Sequence, residues 1–515
     1  MVTAMNEIPS SWIRTELENI AADTDYPIGD GDHGQIKPSD YKTEGIPYIR
    51  VGDIGWGSFT KDKMVYISKS THLNNQKSKL VPGDILIAKT GATIGKCCIV
   101  PNEIAEANTT SSVGKVTINK KMTFPKWILY YFLTRELYDY LWSISERTAQ
   151  PGFNNRDLKK FIIPLAPIKE QERILKKLDK LLTQVDESKR RLEKIPVVIK
   201  RFRQSVLNAA VTGELTKDWR EKNFDTENGE QLYEKIQNHI DEWYQKESQI
   251  ALKQGKRKPK NQRSNPKARY IVEELSGIPS NWKYSRLEDL CYLVSDGTHK
   301  TPIYLSEGKK FLSVKNVRPF RIFDTDIKYI SNEEYDFINA RCNPEKGDIL
   351  YTKVGATYGY AAKVNLDYPF SIFVSLALIK PVKEFFTSDY CELVMNSELV
   401  FQQARSRISG IGTPDLHLIE IRDFRIPLPP QKEQAEIVKR VESLFKKSDE
   451  IEERYKKAKA YIDKLTQSIL AKAFRGELVP QDPNDEPAEK LLERVRDEKE
   501  KLGSTKRKIK KQFEE

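Results

Sequence analysis

The sequence predicts an α+β protein: two similar globular α/β domains separated by two long antiparallel coiled-coil helices, arranged pseudo-twofold. Three observations predict it. First, Ile174, Leu178, Leu181, Val185, Leu192, Ile195, Ile199, Phe202, Val206 and Ala209 hold a three–four apolar beat interrupted only by Ser188. That is the a/d seam of a helix laid against another helix. Second, the beat returns 263 residues later at Ile437, Val441, Leu444, Ile451, Tyr455, Ala458, Ile462, Leu465 and Ile469, with Ser448 inside it. Third, the motifs preceding the first seam recur, in order, before the second. At a rise of roughly 1.5 Å per residue, each seam helix is on the order of 60 Å long.

The first domain is expected over residues 1–167. Ile8-Pro9-Ser10-Ser11-Trp12 opens it, and Ile278-Pro279-Ser280-Asn281-Trp282 opens its copy, residues 278–430. A polar loop follows, Asp30-Gly31-Asp32-His33 in one copy and Asp296-Gly297-Thr298-His299 in the other. Two apolar runs, 48–51 and 311–314, read as strands. The strongest repeat pairs GDILIAKTGATIG at Gly83–Gly95 with GDILYTKVGATYG at Gly347–Gly359, identical at nine of thirteen positions. Its Asp-Ile-Leu reads as a strand leaving a glycine turn. Helical spacing then runs over 127–142 and 390–404, and loops follow at 148–151 and 411–414.

Each domain ends on a proline-punctuated apolar exit, 161–167 or 424–430. Glu170-Gln171 or Glu433-Gln434 then opens a long helix, 168–215 or 431–478, with acid in its first turn. Gly213 and Gly476 are the expected stops. Pro196 stands inside the first seam where the copy has Lys459, so a kink or break is expected near Ile195. Residues 216–277 read as a helical extension and basic linker, and 479–515 as a charged C-terminal extension.

The totals narrow the function. The 515 residues are 38% hydrophobic and 10% aromatic, enough for real cores. No apolar stretch is long enough to span a bilayer, and 1–16 lacks a signal-peptide core, so a soluble, cytoplasmic protein without membrane partners is expected. The five cysteines are scattered without metal-ligand spacing and read as reduced thiols. A net charge of +12 favours a polyanionic partner, because each phosphate contact releases condensed counterions.

Catalytic patterns fail their structural context. Gly29–Gly34 formally fits G-x-G-x-x-G, but no helical apolar run follows and Pro38 comes soon after. Gly91–Cys97 is one residue short of a P-loop and lacks its hydroxyl. No Asn/Asp-Pro-Pro-aromatic loop, nuclease acid-x-Lys strand or His/Cys zinc spacing is present. The chain reads as non-catalytic, with no metal or cofactor of its own.

These residues together resemble the specificity subunit of a type I restriction–modification enzyme. The resemblance rests on the duplicated Gly83 and Gly347 segments, the Asp-Gly-Thr-His loop at Asp296, and the Pro-Leu-x-Pro exits into Glu-Gln. It also rests on Gln204-Ser205-Val206-Leu207 and Gln467-Ser468-Ile469-Leu470 before Gly-Glu-Leu. It covers about Ile8 to Leu478, twice over. It implies a DNA-binding subunit with two target-recognition domains reading a bipartite, asymmetric target. The helices would set the spacer and dock two modification subunits, with restriction subunits completing the complex. S-adenosylmethionine, ATP and Mg would serve those partners, which carry adenine-N6 methylation and ATP-dependent cleavage. One departure is Asp32 in place of threonine, expected to repel phosphate.

Candidate DNA contacts lie on the repeated loops, where Arg, Lys, Asn or Gln can reach base edges or phosphates. They are His33, Lys37, Lys89, Thr93, Lys96, Arg147 and Gln150 in the first domain. In the second they are Thr298, His299, Lys300, Lys353, Thr357, Tyr358 and Thr413. Residues shared by both domains cannot explain different targets, so base readers are expected on the divergent loops. Two alternatives stay open: the recognition chain of a simpler modification system without ATP-driven subunits, and a coiled-coil scaffold with two protein-binding heads. A two-fold reader binds half-sites about 34–36 Å, or a multiple, apart.

Overall fold

Strands form where short apolar runs lie between glycine turns, and they do so twice. The structure, a computed structural model, describes residues 7–145, 152–223, 227–255, 258–259, 277–408 and 414–498. It divides into one unit of Met1–Glu193 with Lys456–Glu515 and another of Lys194–Tyr455.

In the first unit, Ile85–Ala88 is buried at every position. It lies inside an antiparallel sheet ordered Ile28–Asp30, Val113–Val116, Ile85–Ala88, Cys97–Ile99. The second unit repeats that order with Cys291–Asp296, Leu376–Pro381, Ile349–Thr352 and Ala361–Lys363. A second sheet places Ile46–Ile49 parallel to Ala107–Thr109, and Lys309–Leu312 parallel to Phe370–Ile372. These inner strands begin two residues before the runs read from sequence. Their ends are set by side-chain caps: Asp53 accepts the Arg50 amide, and Asn316 accepts the Ser313 amide. Each cap turns the next three residues, Val51–Asp53 or Val314–Asn316, into a 3-10 turn.

The expected single helices at 127–142 and 390–404 are each two. Pro125–Phe132 is followed by Arg135–Ser145, and Ser388–Met395 by Glu398–Arg407. A hydroxyl residue breaks each. Thr134 and Ser397 donate back to Tyr131 and Val394 carbonyls and accept the amides of Leu137 and Val400. Such local bonds compete with a continuing helix.

The exit of each domain is held by a buried donor. Trp127 Nε1 donates to the Pro164 carbonyl, and Tyr390 Oη to that of Pro427, so unlike side chains make the same bond at equivalent positions. The Glu-Gln pair then anchors the seam helix, beyond any effect on its dipole. Gln171 bonds Thr123, Met122 and Ala166. Gln434 bonds Thr387, Phe385 and Pro429. Glu433, fully buried, accepts from Thr216, Arg220 and Trp282.

The first seam helix is Ile168–Leu192, and a new helix, Ile195–Val211, starts with Pro196 in its first turn. The break therefore falls where proline removes an amide and crowds the preceding turn. The second seam helix, with Lys459 instead, runs unbroken from Gln431 to Phe474. Within the second unit Arg203 meets Ser448, Asp449 and Glu452, while Leu215 and Asp218 meet Arg440. Those pairs fix an antiparallel run. Within the first unit Gln481 bonds both Glu170 and Gly476, so the start of one helix lies beside the end of the other.

Burial follows most of the seam. Ile174, Leu178, Val185, Ile199, Val206, Ile437, Val441 and Ile469 are buried. Leu181, Leu192, Ile195, Leu444, Tyr455, Ile462 and Leu465 are half-buried. Phe202 and Ile451 correct the reading, at 40% and 50% exposed. Beyond Pro196 the covered face is Ile199, Arg203, Val206 and Ala210, which leaves Phe202 on its flank. Arg203 occupies the middle of the seam at this level, bonded to the buried Ser448 and lying over Phe445.

Each seam ends at a left-handed glycine, Gly213 at φ 78° and Gly476 at φ 74°. A Cβ there would stand 2.5 Å from Pro279 and 2.3 Å from Pro9 respectively, so the stop doubles as a close contact with the domain's opening motif. The extensions also cover their own unit. Leu232, Ile236 and Ile240 of Gly229–Lys253 join the second core. Ala488, Leu491, Leu492 and Val495 of the helix over 488–498 join the first. Phe474 enters that first core edge-on to Trp127 and Tyr131, arrangements worth about 0.5–1.5 kcal/mol each beyond burial. All five cysteines are free and buried. Burial pushes the Cys342 thiol up to about 11. No helix among the described residues is long and apolar enough to cross a membrane.

Candidate nucleic-acid interface

Three repeated loops meet around one buried lysine in each domain. In the first, the Lys89 amide donates to the Ser112 carbonyl, and the Phe153 amide donates to the Lys89 carbonyl. This draws the segment after Thr90 against Gly152. The Lys89 amine turns inward, 2.5 Å from Asp30 and 3.2 Å from Asn155. Burial alone would raise the Asp30 carboxyl; the bonds from Lys89 and Asn155 outweigh it and hold Asp30 below the ordinary aspartate range. The other oxygen of Asp30 faces the His33 imidazole at 3.3 Å, and that ring is exposed.

The second domain rebuilds this stack. Lys353 is buried between Asp296 at 3.9 Å and Asp415 at 3.4 Å, and Leu416 donates to its carbonyl. His299 stands exposed, 3.2 Å from Asp296. Arg341 adds a brace not evident from the repeat: it donates to the Asp296 and Gly297 carbonyls at 2.9 and 2.6 Å. Each domain thus presents a histidine held by a carboxylate that is itself neutralised from below.

This placement sorts the sequence candidates. Lys89 and Lys353 face inward and brace the loop. His33, His299, Lys37 and Lys300 are exposed above it. Thr298 bonds the backbone of Lys300 and so shapes the turn. Thr93 and Lys96 lie half-exposed on the turn between two sheet strands. Thr357 accepts a bond from Thr352 at its carbonyl. Tyr358 stacks on Phe401 at 5.5 Å and 8°, lining an 820 Å³ cavity of the second unit, away from the histidine. Arg147, Gln150 and Thr413 lie outside the described residues.

Asp32 differs from expectation. Its carboxylate is buried, accepting from the Gly34 and Ile36 amides and from Tyr48, so it shapes the loop from within and does not face a phosphate. Asp84 and Asp348 are likewise internal, accepting the Val81 and Glu345 amides at the turn.

Residues 33–197 and 279–460 match the type I restriction modification DNA specificity domain. The chain belongs to that family. It is similar to the type I restriction enzyme EcoBI specificity subunit of Escherichia coli, 29% identical over 98% of this chain and 96% of the relative. The EcoKI specificity subunit of Escherichia coli strain K12 is 29% identical over 90% and 91%. Among solved structures, a chain from a study of the type I R-M system superposes with a TM-score of 0.60 at 17% identity, over 92% of this chain and 99% of that one. The HsdS subunit from Thermoanaerobacter tengcongensis superposes at 0.55 and 17%, over 93% and 100%. These two share the fold. This specificity subunit therefore recognises DNA sequence through two domains of one family.

Proposed function

We propose that residues 1–167 and 278–430 each read one half of a bipartite, asymmetric DNA target within a type I restriction–modification complex. Residues 168–215 and 431–478 set the spacer and dock two modification subunits, and 216–277 and 479–515 are their extensions. Restriction subunits complete the assembly. The adenine-N6 methylation and the ATP-dependent cleavage belong to those partners, with their S-adenosylmethionine, ATP and Mg, and the subunit works in the cytoplasm without catalysis of its own. The seam residues join the two helices, and the candidate contacts that remain exposed carry phosphate and base recognition.

One observation carries this reading: two domains share a braced histidine loop and a sheet order, yet differ in the side chains outside that frame. A common frame fixes register on the duplex, and different surfaces give different sequences. For docking, Val197 and Val198 of Ile195–Val211 are 52% and 60% exposed, on a helix whose other face is already covered. The test is a domain exchange. Replacing residues 278–430 by the corresponding domain of the EcoKI specificity subunit, in the assembled complex, changes one half of the methylated motif and leaves the other. A motif unchanged in both halves, or changed in both, overturns the proposal.

A further inference from the structure

Within each head, one segment is clamped at both ends and exposes part of its middle. It starts at Gly31 or Gly297, where a Cβ would lie 1.8 Å from the Thr109 carbonyl oxygen or 1.9 Å from that of Ile372. It ends at Gly45 or Gly308, at φ 129° and 141°, where a Cβ would meet the Ile67 or Ile330 carbonyl at 2.6 or 2.4 Å. Just before that end, Lys42 and Leu305 donate to the equivalent Tyr66 and Tyr329 carbonyls at 2.8 and 2.9 Å. Neither end tolerates another backbone path, so the two segments start and finish alike on the same frame.

Their middles differ in kind. The first segment is three residues longer and carries Lys37 and Lys42, both exposed and without an ion pair among the described residues. Asp40, between them, accepts the Lys37 amide. In the second segment Ile303, Tyr304 and Leu305 are 75%, 44% and 45% exposed. Tyr304 rests on Phe311 with Lys328 over its ring, and Glu334 accepts the Ile303 amide at 3.4 Å. Both segments carry the exposed histidine near their start, two residues after the first glycine. An apolar tip held out in water by a rigid frame is costly unless another surface removes it from solvent.

We propose that these segments are the discriminating readers of the two half-sites, with opposite chemistry. Lys37 and Lys42 donate to guanine O6 and N7 edges. Ile303, Tyr304 and Leu305 pack on thymine methyl groups, the apolar feature of the major groove. This rests on the two-headed reading above and deepens it. Acids are present in and beside the second reader, at Glu307, Glu333, Glu334 and Asp336; its phosphate contacts fall to Lys300, Lys309 and Lys328, of which Lys309 lies over Tyr335 of the helix that carries three of those acids.

The experiment is a double dissociation in the assembled methyltransferase complex, read as methylated motifs across a random-sequence DNA library. The wild-type motif comes first: two fixed halves show that both heads read, independently of the loops. Ile303→Asn with Leu305→Asn is then expected to relax A·T preference in one half by about tenfold or more and to leave the other half unchanged. Lys37→Gln with Lys42→Gln relaxes G·C preference in the opposite half. All four positions are exposed, and thermal unfolding of each variant checks that the frame is intact. With a two-part wild-type motif, either pair leaving its half-site unchanged overturns the assignment for that segment, and both pairs affecting the same half overturns it altogether. An Ile303→Asn with Leu305→Asn variant that alters subunit assembly with no change of motif assigns the apolar tip to a protein partner and also overturns it.

Discussion

Lys89 is the residue on which the first head's loop depends. Its amine neutralises a carboxylate that is mostly shielded from water, and removing one partner of such a pair leaves a charge that the interior cannot solvate. Lys89→Met is expected to cost about 3–5 kcal/mol, read as a lower denaturant midpoint for the first unit. Lys353→Met should do less, because Asp415 is half exposed to water and the buried Asp296 keeps Arg341 at 3.3 Å. The pH dependence follows from Asp30, whose folded-state value is depressed. Its contribution is present above the ordinary aspartate value and is lost as pH falls through the lower folded value. Asp30→Asn therefore lowers stability at neutral pH and flattens the acid limb of the stability curve, measured by denaturation between about pH 2 and 7. The sequence exposed the repeated Asp, His and Lys as a set but not their directions. A lysine in a glycine-rich repeat reads as a phosphate contact until the sheet beneath shows its amine facing inward. The burial of Asp32 escapes the sequence for the same reason: Tyr48, its partner, comes from a different strand.

At the scale of elements, periodicity carried the reading and capping limited it. The seam was legible because burial repeats every three or four residues whatever the partner helix is. Proline marked the break at Ile195 for a local reason. Pro196→Lys, the residue found in the other half, is expected to restore the missing amide; slower hydrogen exchange at residues 193–199 would register it. The strand ends and the two split helices were not legible in outline, since Asn316, Thr134 and Ser397 act through single side-chain bonds that leave the apolar pattern intact. Gly213→Ala and Gly476→Ala test the stops. Each forces an L-residue into the left-handed region at ~1–2 kcal/mol and adds a collision with Pro279 or Pro9. Thermal unfolding should drop for both, and the glycine positions should tolerate no compensating bulk in the prolines.

For the whole molecule, the duplication was visible in the sequence but its bookkeeping by unit was not. The sequence places the first domain at 1–167; the compact unit that holds it also includes Lys456–Glu515, because Arg173 meets Asp485, Lys121 meets Glu498, and the Ala488 amide donates to the Ser11 carbonyl. Charge patterning flagged 479–515 as an extension and could not reveal the four apolar residues with which it enters the core. Ending the chain after Gly476 is therefore expected to destabilise the first unit and to spare the second. Limited proteolysis distinguishes the two: cleavage within 7–193 should accelerate while 278–430 stays protected.

That shared membership has a consequence for synthesis. A domain made early on the ribosome ordinarily folds before the next emerges. Here residues 1–193 share a unit with a stretch made after the other head, so the later head is completed first. A nonsense codon shortly after residue 456 would injure the recognition domain encoded well before it, and nascent chains stalled before residue 456 would carry an unfinished surface for chaperones to shelter.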